Sequence, residues 1–206
     1  MGTMVTNPNF FYVSPEVYLE GERVSPIKHE YRKGRIYAMV GAKKPHIVLN
    51  TNLATLLNIH LDDSPCLVLT SDIKVRLEEA NCYYYPDIAV VCDEREINNT
   101  DDFILYPVLI IEVLSKSTES FDRGDKFSDY QTCPTLKEYI LIHQNQMKIE
   151  CHRREDSGVW QEQIYEAGDE VEFTRVGFRG SIASIYRKVP GLVCLQLFLD
   201  IALLCS

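Results

Sequence analysis

Apolar residues along this chain recur with two periods, and the switches between them divide it into elements. Residues 14–20, SPEVYLE, place Ser14 as an N-cap and Pro15 at the first helical position, which predicts a short helix. HEYRKGRIYAM (29–39) alternates and turns at Lys33-Gly34, the pattern of a β-hairpin. After Pro45, Leu49, Leu53, Leu56 and Leu57 fall at helical spacing up to about Leu61, predicting the first substantial helix. Beyond an Asp62–Pro65 turn come three predicted strands, 66–77, 83–92 and 108–114. The first alternates in stretches, whereas IAVV and VLIIEVL are continuous apolar runs, as in strands buried on both faces. Residues 117–131 are polar, but Asp122, Lys126 and Tyr130 stand four apart, so a helix aligns them on one face and Pro134 stops it. Apolar segments at 139–142, 148–152 and 159–165 extend the sheet as a meander, with REDSG (154–158) as a hairpin turn. The predicted order is helix, three strands, helix, strand, with a hairpin before it and added strands after it. This is an α/β fold with a mixed central sheet. No repeat or compositional break divides the chain, so one domain over 1–206 is expected, with its core at about 17–189 and an apolar tail at 190–206.

Composition narrows the class of protein. Of 206 residues, 46% are hydrophobic and 25% charged, which is globular usage and excludes disordered and disulfide-dense chains. With 21 Lys+Arg against 30 Asp+Glu, the net charge of -9 excludes an indiscriminate nucleic-acid coat or a binder of anionic membranes. Seven scattered cysteines form no Cys-x-x-Cys and no zinc-ligand spacing, so they are expected to be reduced and mostly buried in a cytoplasmic protein. The N-terminus has neither the basic start nor the apolar core of a signal peptide. Leu192 to Cys205 is nearly all apolar but falls short of the ~20 residues of a membrane span. It is expected to form a terminal helix packed on the domain or on a partner subunit, and no membrane association is expected.

The chemistry is concentrated in misplaced charges. Glu112 interrupts the apolar run Ile110-Ile111-Glu112-Val113-Leu114, where a carboxylate must be protonated or compensated by a cation, a metal or hydrogen bonds. Asp87, after Pro86, opens the apolar run 88–91. Either acid alone reads as half of a buried ion pair. On successive strands the two can converge at one end of the sheet as hard oxygen ligands for Mg²⁺ or Mn²⁺. Lys126, with Asp122 and Tyr130 on its face, can be aimed at the same edge, where a cation stabilises developing negative charge or orients water. Tyr83–Tyr85 suit either base stacking or cross-strand packing. Arg32, Lys33, Arg35, Lys43 and Lys44 suit either a phosphate backbone or a solvated hairpin. No glycine-rich phosphate loop or Gly-x-Ser-x-Gly elbow occurs.

The segments EYRKGRIYAMVGAKKPH, SDIKVRL, YYYPDIAVVCDER and PVLIIEVLSKSTESFDRGDKFSDYQTCPTLKEYILI together resemble the Uma-type restriction endonuclease family, a branch of the PD-(D/E)XK nuclease superfamily. The resemblance runs from about Val17 to about Val189 and leaves the tail unexplained. It implies a restriction-endonuclease-like core of helix, three strands, helix and strand. It also implies a metal-binding aspartate at Asp87, the (D/E)XK acid at Glu112, and Mg²⁺ or Mn²⁺ as cofactor. Two residues after Glu112 stands Leu114 where the parent pattern has lysine; the family's lysine then corresponds to Lys126, in DRGDK. Glu30 and His46 match recurrent polar positions before and at the first long helix, where His46 either caps the helix or bonds Asn50. Asp72 and Ser115 sit in matching blocks as contacts to metal, water or phosphate, or as turn and capping groups. The implied activity is endonucleolytic hydrolysis of nucleic acid, with DNA the expected substrate and a homodimer the expected assembly. The rivals are a catalytically inactive binding or regulatory module on the same fold, and an oligomer built through the tail.

Overall fold

The structure, a computed structural model, describes residues 11–192. The apolar segment expected to close the chain as a helix, with Cys194 and Cys205, lies outside them from residue 193 on. Helix α1 (Pro15–Val24) starts as its sequence dictates: the Ser14 hydroxyl accepts the Val17 N–H, and proline occupies the first turn. The hairpin β1 (His29–Arg32) and β2 (Arg35–Ala38) turns at Lys33 and Gly34, both at positive φ, as a tight two-residue turn demands. Helix α2 (Lys44–His60) buries Leu49, Leu53 and Leu57 along one stripe.

Two of the expected strands are each broken in two. Residues 66–77 become β3 (Leu67–Thr70) and β4 (Lys74–Leu77), split at Ser71, whose φ of 47° turns the chain. Residues 83–92 become β5 (Cys82–Tyr84) and β6 (Ile88–Val91), split at Pro86, which has no N–H to offer a ladder. In each case the two halves join different sheets. The rest of the chain forms α3 (Glu94–Ile97), β7 (Phe103–Ile104) and β8 (Pro107–Leu114). One continuous helical segment follows: α4 (Glu119–Phe121), a π-helical turn (Asp122–Lys126) and α5 (Phe127–Tyr130). Then come β9 (Glu138–His143), β10 (Lys148–Arg154), β11 (Trp160–Glu166), β12 (Glu170–Phe173), β13 (Phe178–Ser181) and α6 (Ile182–Ile185).

The larger sheet has the order β11-β10-β9-β8-β6-β3 and is mixed: β8 and β9, joined through the helical segment, run parallel, and the other pairs are antiparallel. The smaller sheet, β2-β1-β5-β4-β7, is antiparallel except for β4 with β7, and β12 pairs with β13 apart from both. Strand alternation divides the core between the two faces of the larger sheet. Leu109, Ile111 and Val113 join the α2 leucines and α6 on one face. Ile110 and Leu114 meet Val75, Leu77 and Tyr84 of the smaller sheet and Tyr130 of α5 on the other. Glu112 shares the parity of Ile110 and Leu114, so it points into the space between sheet, sheet and helical segment.

The cysteine expectation is corrected at one pair. Cys66 and Cys92 form a disulfide, while Cys82, Cys133 and Cys151 are free and buried. The pairing follows from register: Leu67 lies opposite Val91, so the next antiparallel step brings Cys66 opposite Cys92. The scattered cysteines therefore no longer argue for a reducing compartment. Among the described residues, no helix is long and apolar enough to cross a membrane.

Candidate active site

The break at Pro86 carries the chain from the smaller sheet to the larger one and leaves Asp87 at the crossing. Ile88 pairs with Ile111 and Ala89 with Ile110, so one further step sets Asp87 opposite Glu112. Asp87 is held at both oxygens: Oδ2 accepts the Val113 N–H at 2.7 Å, and Oδ1 lies 2.7 Å from His46 Nε2. His46 stands in the first turn of α2; it neither caps the helix nor bonds Asn50, whose amide donates to Ser71 Oγ at 2.9 Å. Lys126 comes from the π-helical turn, a feature common at functional sites. Its Nζ lies 2.8 Å from Glu112 Oε1, 3.1 Å from Glu30 Oε1 and 3.8 Å from Asp122 Oδ1, above the Tyr84 ring at 5.4 Å. Glu30 in β1 is fixed in turn by the Tyr85 N–H, which donates to Oε1 at 3.2 Å. The sequence thus reached the lysine from its helical spacing, while nothing in the pattern announced the Tyr84 ring beneath it.

Burial makes this cluster expensive. Side-chain exposure is 5% at Lys126, 6% at Glu112 and Asp122, and 15–18% at Glu30 and Asp87. Burial pushes the Glu112 carboxyl well above its usual range; Lys126 opposes that shift, and Asp122 and Asp87 add to it. Asp122 is raised for the same reason. Burial would by itself lower the Lys126 ammonium, but Glu112, Glu30 and Asp122 outweigh it and hold the charge on. Four carboxylates thus face one ammonium and one imidazole. The Lys126 ammonium, 2.8 Å away, is the cationic partner of the buried Glu112 Oε1. A buried acidic surplus of this kind suits a divalent cation.

The remaining expected site residues fall differently. Tyr130 is buried in the same space, its hydroxyl without a hydrogen-bond partner among the described residues and its ionisation suppressed by burial and by the charges of Glu112 and Glu30. Asp72 is 78% exposed and pairs with Lys28. Ser115 Oγ shares hydrogen bonds of 3.0 Å with the Ser117 and Thr118 hydroxyls, in the turn before α4. Tyr83, Tyr84 and Tyr85 are all buried, so base stacking is corrected to internal packing: Tyr83 sits with Tyr18 and Tyr31, and Tyr84 donates to Asp129 at 2.6 Å. Arg32 and Lys33 are ion-paired with Asp129, and Arg32 also with Asp125, so they staple the hairpin to the helical segment. Lys43 and Lys44 remain exposed beside His46. A second group, Glu150, His152 and Glu162, brings three ligand-type atoms within 4.8 Å of one another. Glu150 is already neutralised there by Arg123 and Lys148.

Residues 15–182 match the protein family described as "Uma2: Putative restriction endonuclease". The uncharacterized protein slr1290 of Synechocystis sp. (strain ATCC 27184 / PCC 6803 / Kazusa) is 41% identical over 175 residues, 85% of this chain and 92% of that protein. A second uncharacterized protein of that strain, sll1609, is 34% identical over 144 residues, 69% and 81% of the two chains. The crystal structure of a "putative nuclease belonging to DUF820" from Anabaena variabilis ATCC 29413 superposes with a TM-score of 0.68 over 84% of this chain and 97% of that one. At 13% identity that likeness is one of fold. With a family match across most of its length, two homologues above 30% identity and a nuclease-type fold, the chain belongs to the family of "Putative restriction endonuclease" proteins called Uma2.

Proposed function

We propose that this protein is a metal-dependent endonuclease that hydrolyses phosphodiester bonds in nucleic acid, with DNA the expected substrate. The observation that carries the reading is the buried acidic surplus at Glu112: three carboxylates around one lysine, with a fourth, Asp87, set opposite Glu112 and held by His46. Asp87 and Glu112 would hold Mg²⁺ or Mn²⁺, an ion usually bound by one or two carboxylates together with water and phosphate. When bound, such an ion polarises the scissile phosphate and lowers the pKa of a coordinated water.

The chain's own groups have separable tasks. His46 and the Val113 N–H fix the Asp87 carboxylate, so no orientation is lost on binding. Lys126, held protonated by three acids, cannot accept a proton from water; its task is to stabilise negative charge on the phosphate oxygens in the transition state. Glu30 and Asp122 keep that ammonium charged and aimed. Lys43 and Lys44, exposed at the start of α2, supply a basic approach for the phosphate backbone near Asp87, which reconciles the acidic whole-chain charge with a nucleic-acid substrate.

The test is plasmid nicking by the purified protein with Mg²⁺ or Mn²⁺. Asp87→Ala, Glu112→Ala and Lys126→Ala should each abolish it, and equal nicking by wild type and variants would assign the activity to a contaminant. The close Lys126–Glu112 pairing favours a second reading, an inactive member in which the ion pair only holds the fold. Calorimetric titration with Mn²⁺ separates the two: binding that depends on Asp87 and Glu112 supports the nuclease, and its absence supports the inactive module.

A further inference from the structure

Two residues beyond Glu112, β8 ends at Leu114, opposite His143 at the end of the parallel strand β9. A polar cleft of about 300 Å³ opens at these carboxyl ends, between the turn that follows β8 and the loop joining β9 to β10. At ~3.3 Å per residue its mouth begins roughly 7 Å along the strand from Glu112. Ligands in open α/β sheets collect at such strand ends.

The lining has unspent chemistry. Gln144 is only 7% exposed, yet among the described residues its side-chain amide has no hydrogen-bond partner. Gln144 is among the residues that line the cleft. An amide with no partner within the protein has its donor and acceptor free for a ligand. Lys116, exposed at the opposite lip, makes no ion pair among the described residues. His143, by contrast, is engaged at both ring nitrogens, Nε2 against Glu150 and Arg123 and Nδ1 against Gln146, and serves as a rigid wall. A donor–acceptor amide set inside a cleft, with a free ammonium at its lip, matches a nucleotide: a base edge for the amide and a phosphate for the lysine.

We propose that this cleft seats the base of an unpaired nucleotide adjoining the cleavage position, that Gln144 reads its hydrogen-bonding edge, and that Lys116 holds its phosphate. The inference rests on the nuclease reading and adds base selection to it. A glutamine amide pairs two-fold with the N6/N7 edge of adenine, so adenine is the expected base.

The experiment titrates the full chain with dAMP, dGMP, dCMP and dTMP and follows the Gln144 side-chain NH₂ resonances by NMR. Each nucleotide is compared with a three-nucleotide single strand of the same base. The expected result is a shift of those resonances, at least ~5-fold tighter binding of adenine than of the weakest base, and tighter binding of the strand than of the mononucleotide. Gln144→Leu, of similar shape, should level the four affinities, Gln144→Glu should reorder them, and Lys116→Gln should weaken all four alike. No shift with any probe, affinities unchanged in Gln144→Leu, or mononucleotides bound more tightly than strands would overturn the proposal. Failure of the nuclease reading is seen separately. Nicking whose cut-site profile is the same in wild type and Gln144→Leu refutes the cleft alone, while selective nucleotide binding without nicking retains the cleft and refutes cleavage.

Discussion

Replacing Glu112 by glutamine separates a functional carboxylate from a structural ion pair. The substitution keeps the side chain's shape and removes a charge that burial, Asp122 and Asp87 all disfavour. The Lys126 ammonium does not become an orphan, because Glu30 remains at 3.1 Å and Asp122 at 3.8 Å. The glutamine NH₂ can donate to carboxylates that at present repel Glu112. If Glu112 is held against its stability cost for the sake of chemistry, removing it should stabilise the fold by about 1–2 kcal/mol, the usual gain at a strained functional site. For a domain of this size that is roughly 2–8 °C in Tm. A structural ion pair predicts the opposite sign, a loss of about 3–5 kcal/mol when one partner of a buried pair is deleted. The assay is thermal and urea unfolding of wild type and Glu112→Gln at pH 7 in EDTA, repeated with excess Mn²⁺. The variant should be the more stable in EDTA, and Mn²⁺ should raise only the wild type, by RT ln(1 + [L]/Kd). A destabilised variant in EDTA would refute the reasoning.

Other substitutions probe the frame around the site. Tyr84→Phe removes the hydroxyl that donates to Asp129 Oδ2 at 2.6 Å; urea unfolding should register a loss of about 1–2 kcal/mol, and no loss would mean that Arg32 and Lys33 satisfy Asp129 alone. Cys92→Ser opens a bridge between residues 26 apart, which chain entropy values at about 3.5 kcal/mol; the same Tm drop should follow dithiothreitol treatment of the wild type and be absent from the variant. Glu150 is pushed up by burial, but hydrogen bonds from Arg123, Lys148 and His143 outweigh this and hold its carboxyl near about 2, against an ordinary 4.5. The native state therefore binds this proton less readily than the unfolded chain. The resulting stability is complete above pH 4.5 and is lost as the pH falls toward 2. Allowing for screening, it amounts to about 2 kcal/mol, and Glu150→Gln should flatten that acid limb in unfolding measured between pH 5 and pH 2.

Helix starts, the hairpin and the buried strands were readable because they are local: Ser14 and Pro15 open α1, Lys33 and Gly34 turn the hairpin, and VLIIEVL can only be an interior strand. The two acids were readable for the same reason, since a charge inside an apolar run is an anomaly at any level of structure. Lys126 was reachable because its i−4 and i+4 neighbours, Asp122 and Tyr130, mark a helical face. What the pattern alone did not carry was where the long strands break. An apolar run reports burial and is silent on which sheet buries it, so only the packed fold sends residues 82–84 and 88–91 into different sheets, with Pro86 and Asp87 at the passage between them. The same holds for Cys66 with Cys92, for Tyr84 beneath Lys126, and for Gln144 in its cleft. Each of these depends on register between segments far apart in the chain. Local sequence determined the elements and their charged anomalies; tertiary pairing decided which anomalies meet, because contact across sheets is set by burial of whole faces rather than by the residues that end up touching.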